Sequence, residues 1–466
     1  MNEFRVLAPT AILGYGFPEA SFIEGMKRKP HAIAVDAGST DPGPYYLGAG
    51  KSFTDRAGVK RDMEYMIKAG IEHNIPVIIG SAGGSGADSH LAWNVEIVQE
   101  IAREQGLDFK LGVINAQIDK QDVLKHHNDG SLKKMHSSPL PTKAQITGSS
   151  NIVAQMGTEP FIKALDMGAQ VIVAGRAYDP AVFACVAIRN GFDTGLAMHM
   201  GKILECATIA AVPGSGSDCM LGTLGQDSFV VEPLSSARKC TTLSVAAHTL
   251  YEKSDPTKLP GPGGTLDLSQ CVFEQASENS VRVSNTKFIP DPDNGYHIKL
   301  EGATLKGYRT VSIASAADPI FTHNIEDIAA AVKERVKSNF ADLNNADYFL
   351  DFKIYGKNGV SLFHDQNTNA GQQKNSQGLQ APAEIAIVIE AVASSQETAN
   401  TICSFARSSL LHFGYDGRKS TAGNLAFPFS PSDFEAGEVY EFSVYCLMPS
   451  PDPCQYFPVT VAQVNG

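Results

Sequence analysis

The chain reads as an α/β protein. A mostly parallel, doubly wound sheet is expected in an N-terminal domain, followed by a C-terminal α+β domain with an antiparallel sheet. Three observations predict this. Short apolar runs alternate with helical patterns through the first half, which is the pattern of a parallel sheet covered by helices. The turn after each apolar run is rich in glycine and polar residues. Near Pro233 the alternation gives way to hairpin-like runs. A chain of 466 residues also exceeds one ordinary core. The expected domains are 1–235 and 236–466.

The candidate strands of the first domain are Arg5–Ala8, Ala32–Val35, Val77–Ile79, Lys110–Ile114 and Val171–Val173. Each is a short buried-looking run bounded by turn residues. Candidate helices are Arg56–His73, Asp88–Gln105 and Glu159–Met167. In the second half, Pro260-Gly261-Pro262-Gly263-Gly264 punctuates the chain as a loop. Ser280–Ser284 and His297–Leu300 read as hairpin strands. A helix is predicted at Ile325–Phe340 and strands at Phe349–Tyr355 and Glu384–Val392. Ile402, Phe405, Ala406 and Phe413 form a helical stripe, and Tyr440, Phe442, Val444 and Cys446 alternate as a last strand. The tract between His364 and Gln380, rich in Asn and Gln, reads as a mobile loop.

The most informative turn is Gly80-Ser81-Ala82-Gly83-Gly84-Ser85-Gly86-Ala87-Asp88. It joins the Val77–Ile79 strand to a helix whose apolar face carries Leu91, Val95, Val98 and Ile101. Such a turn aims backbone N–H groups and a positive helix end above the sheet. Ligands of open α/β sheets bind beyond the carboxyl ends of the strands. A carboxylate or phosphate held by Gly83, Gly84, Ser85 and Gly86 is therefore expected. The loop is no ATP-binding P-loop, because Ala87-Asp88 stands where Lys-Ser/Thr belongs. Asp88 is also a ready helix cap.

Composition narrows the function classes. The net charge of −12 argues against a nucleic-acid or anionic-membrane surface, either of which needs a broad basic patch. No run of about 20 apolar residues suggests a membrane span, and Met1–Arg5 lacks a signal-peptide pattern. The eight cysteines form no C-x-x-C pair, so reduced thiols in a cytoplasmic protein are expected; a homo-oligomer is a separate expectation.

The remaining candidates lie at strand ends and loops. Gly14-Tyr15-Gly16-Phe17-Pro18-Glu19 followed by Asp36 resembles a dinucleotide fingerprint, but Glu19 replaces its third glycine. Acidic Asp36, Asp179 and Glu205 suit general acid–base work, and Ser39 and Gln117 stand ready to bind substrate. Acids at these turns also leave a divalent metal open, although no H-x-H or H-E-x-x-H pattern fixes one. His126, His127 and His136 have lysine neighbours that suggest a solvated surface. Arg176 follows a buried strand, where its planar fork suits a substrate carboxylate; the competing reading is an ion pair with Asp179. Lys202 and Glu205 are spaced to share a helix face, as a catalytic pair or as a surface pair. Cys206 and Cys219 read as inert thiols. Arg418 and Lys419 in Gly414–Lys419 supply positive charge from the second domain.

Several blocks together resemble the acyclic terpene utilisation AtuA family. They are Gly80–Gly84, Ala174–Asp179, Gly201–Cys206, Ile313-Ala314 with Asp318-Pro319, Tyr355–Gly359, and Thr401–Pro431 containing Thr421–Phe429. The resemblance implies a cytoplasmic protein of acid or acyl-CoA catabolism. With the residues above it points to a hydratase, lyase or isomerase acting on a small carboxylic acid or its CoA thioester. The alternatives are an NAD(P)-dependent oxidoreductase and a non-catalytic acyl-binding subunit of an enzyme complex.

Overall fold

Five apolar runs of the N-terminal half become adjacent parallel strands. They are β1 (Phe4–Ala8), β2 (Ala32–Asp36), β3 (Val77–Gly80), β4 (Phe109–Ile114) and, beyond the short β5 (Lys133–Lys134) and β6 (Asn151–Ala154), β7 (Val171–Ala174). Their order is β1-β2-β3-β7-β4, with Ile33 opposite Val77 and Ile79 opposite Val173. All residues of β2, β3 and β7 are buried, as expected of strands covered on both faces. Side chains alternate between faces along a strand. Ile33, Val35, Val77 and Ile79 pack with Met63, Met66, Ile97 and Ile101 of the helices Arg56–Glu72 and Asp88–Gln105. Ala32, Ala34 and Ile78 pack with Val182 and Phe183 of the helix Asp179–Arg189. The central sheet is thus doubly wound.

This computed structural model describes residues 2–135, 137–251, 255–292, 295–343, 347–357, 359, 384–419 and 421–466. The Asn/Gln-rich tract between His364 and Gln380 lies outside the described residues, as does His136. The chain divides into two compact units, Met1–Thr304 with Phe442–Gly466, and Leu305–Glu441.

In the first unit the parallel centre has antiparallel flanks. β8 (Met220–Leu224) and β9 (Ser228–Pro233) form a hairpin beside β1. The short turn 225–227 between them forces the antiparallel arrangement. β10 (Lys258–Gly261), β11 (Gly264–Asp267) and, later in the chain, β14 (Lys287–Pro290) make a separate small sheet. β12 (Val272–Gln275) and β13 (Val281–Ser284) extend the large sheet beyond β9. The expectation of a mostly parallel sheet therefore holds for the centre alone. The position 235/236, where a domain boundary is expected, falls inside the first unit, because β12 and β13 still pair into its sheet.

β15 (His297–Ala316) pairs through Leu300–Ala303 with β6 in the first unit. Within the second unit its residues Tyr308–Ala316 pair with β17 (Ile385–Ala393), which in turn pairs with β16 (Tyr348–Tyr355). All these pairings are antiparallel. Val332 and Val336 of one helix and Ile402 and Ala406 of another share a core with Ile387 and Ile389. The second unit is thus of the α+β type. β18 (Asp433–Pro449) returns the chain to the first unit, where Cys446 and Leu447 pair with β5, and β19 (Val459–Val464) closes the large sheet against β4. No described helix is long and apolar enough to cross a membrane.

Candidate functional site

The carboxyl ends of β2, β3 and β7 carry a buried network of charges. Arg176, 2% exposed, is at its centre. Its Nε donates to Glu301 Oε2 at 2.8 Å, and its Nη1 donates to Asp179 Oδ1 at 2.8 Å, Ala177 O at 2.7 Å and Ser81 Oγ at 3.1 Å. Lys299 Nζ lies 2.8 Å from Glu301 Oε1, and Thr40 Oγ1 donates to the same oxygen at 3.2 Å. Burial alone would raise the Glu301 carboxyl, but Arg176 and Lys299 outweigh it and bring it down to about 2. Burial likewise opposes the charge on Lys299, and Glu301 restores it.

Asp36, the last residue of β2, has the opposite balance. Burial and then the nearby Asp179 push its carboxyl well above the usual range, against the pull of Arg176, the Ser81 hydroxyl and the Gly38 amide. Its Oδ2 accepts from Gly38 N at 3.1 Å. Its Oδ1 is buried and finds no hydrogen-bond partner among the described residues. A carboxyl pushed up, in Asp36, near one pulled down, in Glu301, is the environment that separates acid from base roles. Ser81, which bonds Arg176, has a φ of 47°. That region is rarely adopted by a serine, and such strain persists only where the surroundings enforce it.

The glycine turn is packed against the protein itself. Residues 81–87 are buried. A Cβ on Gly86 would lie 2.0 Å from Arg176 N, and Gly86 has a φ of +68°. A Cβ on Gly84, at φ +91°, would lie 3.2 Å from Phe53 Cβ, and Phe53 N donates to Gly83 O at 3.1 Å. A valine at Gly84 would therefore strain the fold as well as fill the approach path. The helix start is also occupied: Ala87 N donates to His90 Nδ1 at 3.2 Å and Asp88 N donates to Gln117 Oε1 at 3.0 Å. Ser85 Oγ is buried without a partner among the described residues.

The dinucleotide-like turn is filled by an internal anion. Gly14 N and Gly16 N each donate to Asp62 Oδ2 at 3.0 Å. The Asp62 carboxylate thus takes the amides that a pyrophosphate would need.

Lys202 and Glu205 are not a surface pair. They are 2% and 7% exposed and bond each other at the end of the helix Thr194–Leu204. Burial disfavours the ammonium, and Glu205 more than restores it. Ser39 Oγ accepts from Asp41 N at 3.1 Å in the turn after β2. Arg418 belongs to the second unit, where its guanidinium donates to Ala422 O. The Cys219 thiol is pushed well above its ordinary value by burial, followed by Asp218, so it is no ready nucleophile. No described group of three or more His, Cys, Asp and Glu residues is arranged to hold a metal ion.

Two cavities of the first unit meet at Lys299. One, of about 420 Å³, has apolar walls that include Met135, Pro260, Pro262 and Leu447. Lys133, Lys134, His297 and Lys299 bring positive or titratable nitrogen to it, and Gln155, Tyr178 and the acidic Asp291 also line it. The other, of about 550 Å³, is lined by Thr40, Asp41, Gln145, Glu301 and Tyr445 beside Lys299. Sequence reasoning missed Lys299 and Glu301. A signal was present: His297, Lys299 and Glu301 alternate, which places them on one face of a strand.

Comparison with known proteins places the chain in a family. No curated protein and no solved structure matches the chain significantly. The family model described as acyclic terpene utilisation family protein AtuA matches residues 52–214 and 227–426. These segments include Ser81, Arg176, Asp179, Lys202, Glu205, Lys299 and Glu301, so most of the network falls within the matched region. With most of its length matched, the chain belongs to the acyclic terpene utilisation family AtuA.

Proposed function

We propose that this protein is an enzyme that binds an acyclic carboxylic acid or its thioester and carries out acid–base chemistry on it, of the hydratase, lyase or isomerase type. One observation carries the reading. In a chain of net charge −12, Lys133, Lys134 and Lys299 outnumber the acidic Asp291 in the lining of one cavity whose walls are otherwise largely apolar. That combination suits an apolar ligand body ending in an anion. The cavity volume lies in the range of small-molecule sites, about 300–1,000 Å³.

In this reading the lysines and His297 hold the anionic end. The carboxyls Asp36, Asp179 and Glu205 supply proton transfer, with Asp36 entering as the neutral acid. The hydro-lyase step removes a proton from a carbon beside the carbonyl, and the departing hydroxyl leaves as water after taking up a proton. Arg176 organises the carboxyls, and the glycine turn fixes Arg176. The occupation of the Gly14 and Gly16 amides by Asp62 weighs against the nicotinamide alternative.

The test is calorimetric titration with an acyclic monoterpenoid carboxylate and with the matched alcohol. The acid should bind, and Lys299→Gln should weaken it by about tenfold or more, the value of a lost charge-assisted bond. Equal affinity for acid and alcohol would refute the anionic anchor. An unsaturated acyl-CoA in heavy-oxygen water then tests the chemistry by mass spectrometry. Binding without isotope incorporation or double-bond migration would favour the non-catalytic acyl-binding subunit.

A further inference from the structure

Tyr178 stands at the start of the helix Asp179–Arg189, is 8% exposed, and lines the apolar-walled cavity. Opposite it, Gly261 leaves bare backbone against the ring. A Cβ there would come within 2.8 Å of Tyr178 Cε1 and 3.3 Å of its Oη. The Lys202–Glu205 pair is brought to this place by two helices in close contact: a Cβ on Gly201 would be 2.4 Å from Pro180 O. Among the described residues, Glu205, Lys202 and Asp179 act on the Tyr178 phenol by their charge. The Lys202 ammonium sits 5.7 Å from the Tyr251 ring centroid, and the His248 ring stacks on Tyr251.

A buried ion pair is weak evidence of stability, because desolvation consumes most of its attraction. A buried ionisable group that lines a cavity, as Tyr178 does, is a candidate for function. We propose that Tyr178 is a further catalytic residue that donates a hydrogen bond to the reacting oxygen of the ligand, a carbonyl becoming an enolate, with Lys202 and Glu205 as positioning residues behind it. This rests on the ligand cavity of the proposed function. Burial, followed by Glu205, keeps the phenol protonated against the pull of Lys202, so Tyr178 serves as a donor and not as a base. His248, held down to about 4 by burial and then Lys202, and His199, held down to about 3 for the same reasons, add no positive charge near neutral pH.

The test uses 4-nitrophenol as an oxyanion probe, read by its phenolate absorbance across a pH series. The intact protein should bind the phenolate at least about tenfold more tightly than the neutral phenol, the scale of a hydrogen bond to a charged group. Tyr178→Phe, which keeps the ring, should remove most of that preference. Glu205→Gln should reduce it, because burial then disfavours the Lys202 ammonium that Glu205 restores. A merely structural role would weaken phenol and phenolate binding alike and leave the preference unchanged in both variants. An unchanged preference in Tyr178→Phe, or none in the intact protein, overturns the proposal. Because the probe needs no carboxylate, a failure of terpenoid carboxylate binding refutes the earlier reading separately.

Discussion

Replacing Glu301 by glutamine keeps the shape of the side chain and removes the charge that holds Arg176 and Lys299. The carboxyl is 2% exposed and accepts from Arg176 Nε and Lys299 Nζ, both at 2.8 Å. The drop from an ordinary 4.5 to about 2 corresponds to about 3.4 kcal/mol of stabilisation at neutral pH. Removing one partner of a buried pair independently costs about 3–5 kcal/mol. The two figures agree, so Glu301→Gln should lose about 3 kcal/mol at pH 7. The sign follows from the lowered carboxyl. Its contribution is complete above 4.5 and is lost as pH falls through about 2, because the unfolded state then binds the proton first. At pH 3 the contribution should have fallen to about 1.4 kcal/mol. Urea unfolding of both proteins at the two pH values measures the gap, and the carboxylates outside the Arg176 network cancel in the difference. A gap as large at pH 3 as at pH 7 would show that packing, not charge, is the source and would refute the reasoning.

Asp36→Asn should act in the opposite sense. The folded carboxyl is raised, first by burial, so the stability it contributes is complete below its unfolded value and lost as pH rises through its folded one. The asparagine variant should therefore gain stability relative to the native protein as pH rises above the ordinary carboxylate range, read as a difference in thermal midpoint; a difference that does not change with pH counts against a raised Asp36 carboxyl. Gly86→Ala forces a Cβ to within 2.0 Å of Arg176 N at a φ of +68°, and should cost at least about 2 kcal/mol from strain and overpacking. An unaltered thermal midpoint would mean that the two turns separate easily.

How much of this was legible in the sequence depends on the range of the interaction. The five parallel strands were readable because each is a short, largely apolar run, and β2, β3 and β7 are buried throughout. Asp36, Ser81, Arg176 and Asp179 were found as candidates or neighbours of candidates by one rule, that open α/β sheets place function beyond their strand ends. The glycine turn showed that a backbone approaches closely, but not which one. It is the Gly175–Arg176 turn, one strand away in space. Glu301 escaped notice because it meets Arg176 only through the pairing of β15 with β6, and a strand pairing between distant segments leaves no local trace.

The same contacts change the meaning of the charges. At each turn where the sequence invites an external anion, the fold supplies an internal acceptor: Asp62 at Gly14 and Gly16, Gln117 at the helix start, and Glu301 and Asp179 at Arg176. An anionic ligand is then drawn less to the strand ends themselves than to the cations that face a cavity. Lys299 is the junction, since it bonds the internal carboxylate and lines both cavities. A ligand anion arriving there would share the ammonium with Glu301, loosen the hold on Arg176, and so alter the charge felt by Asp36 and Asp179. On this argument ligand binding and carboxyl protonation are one linked equilibrium, which is the coupling an acid–base enzyme requires.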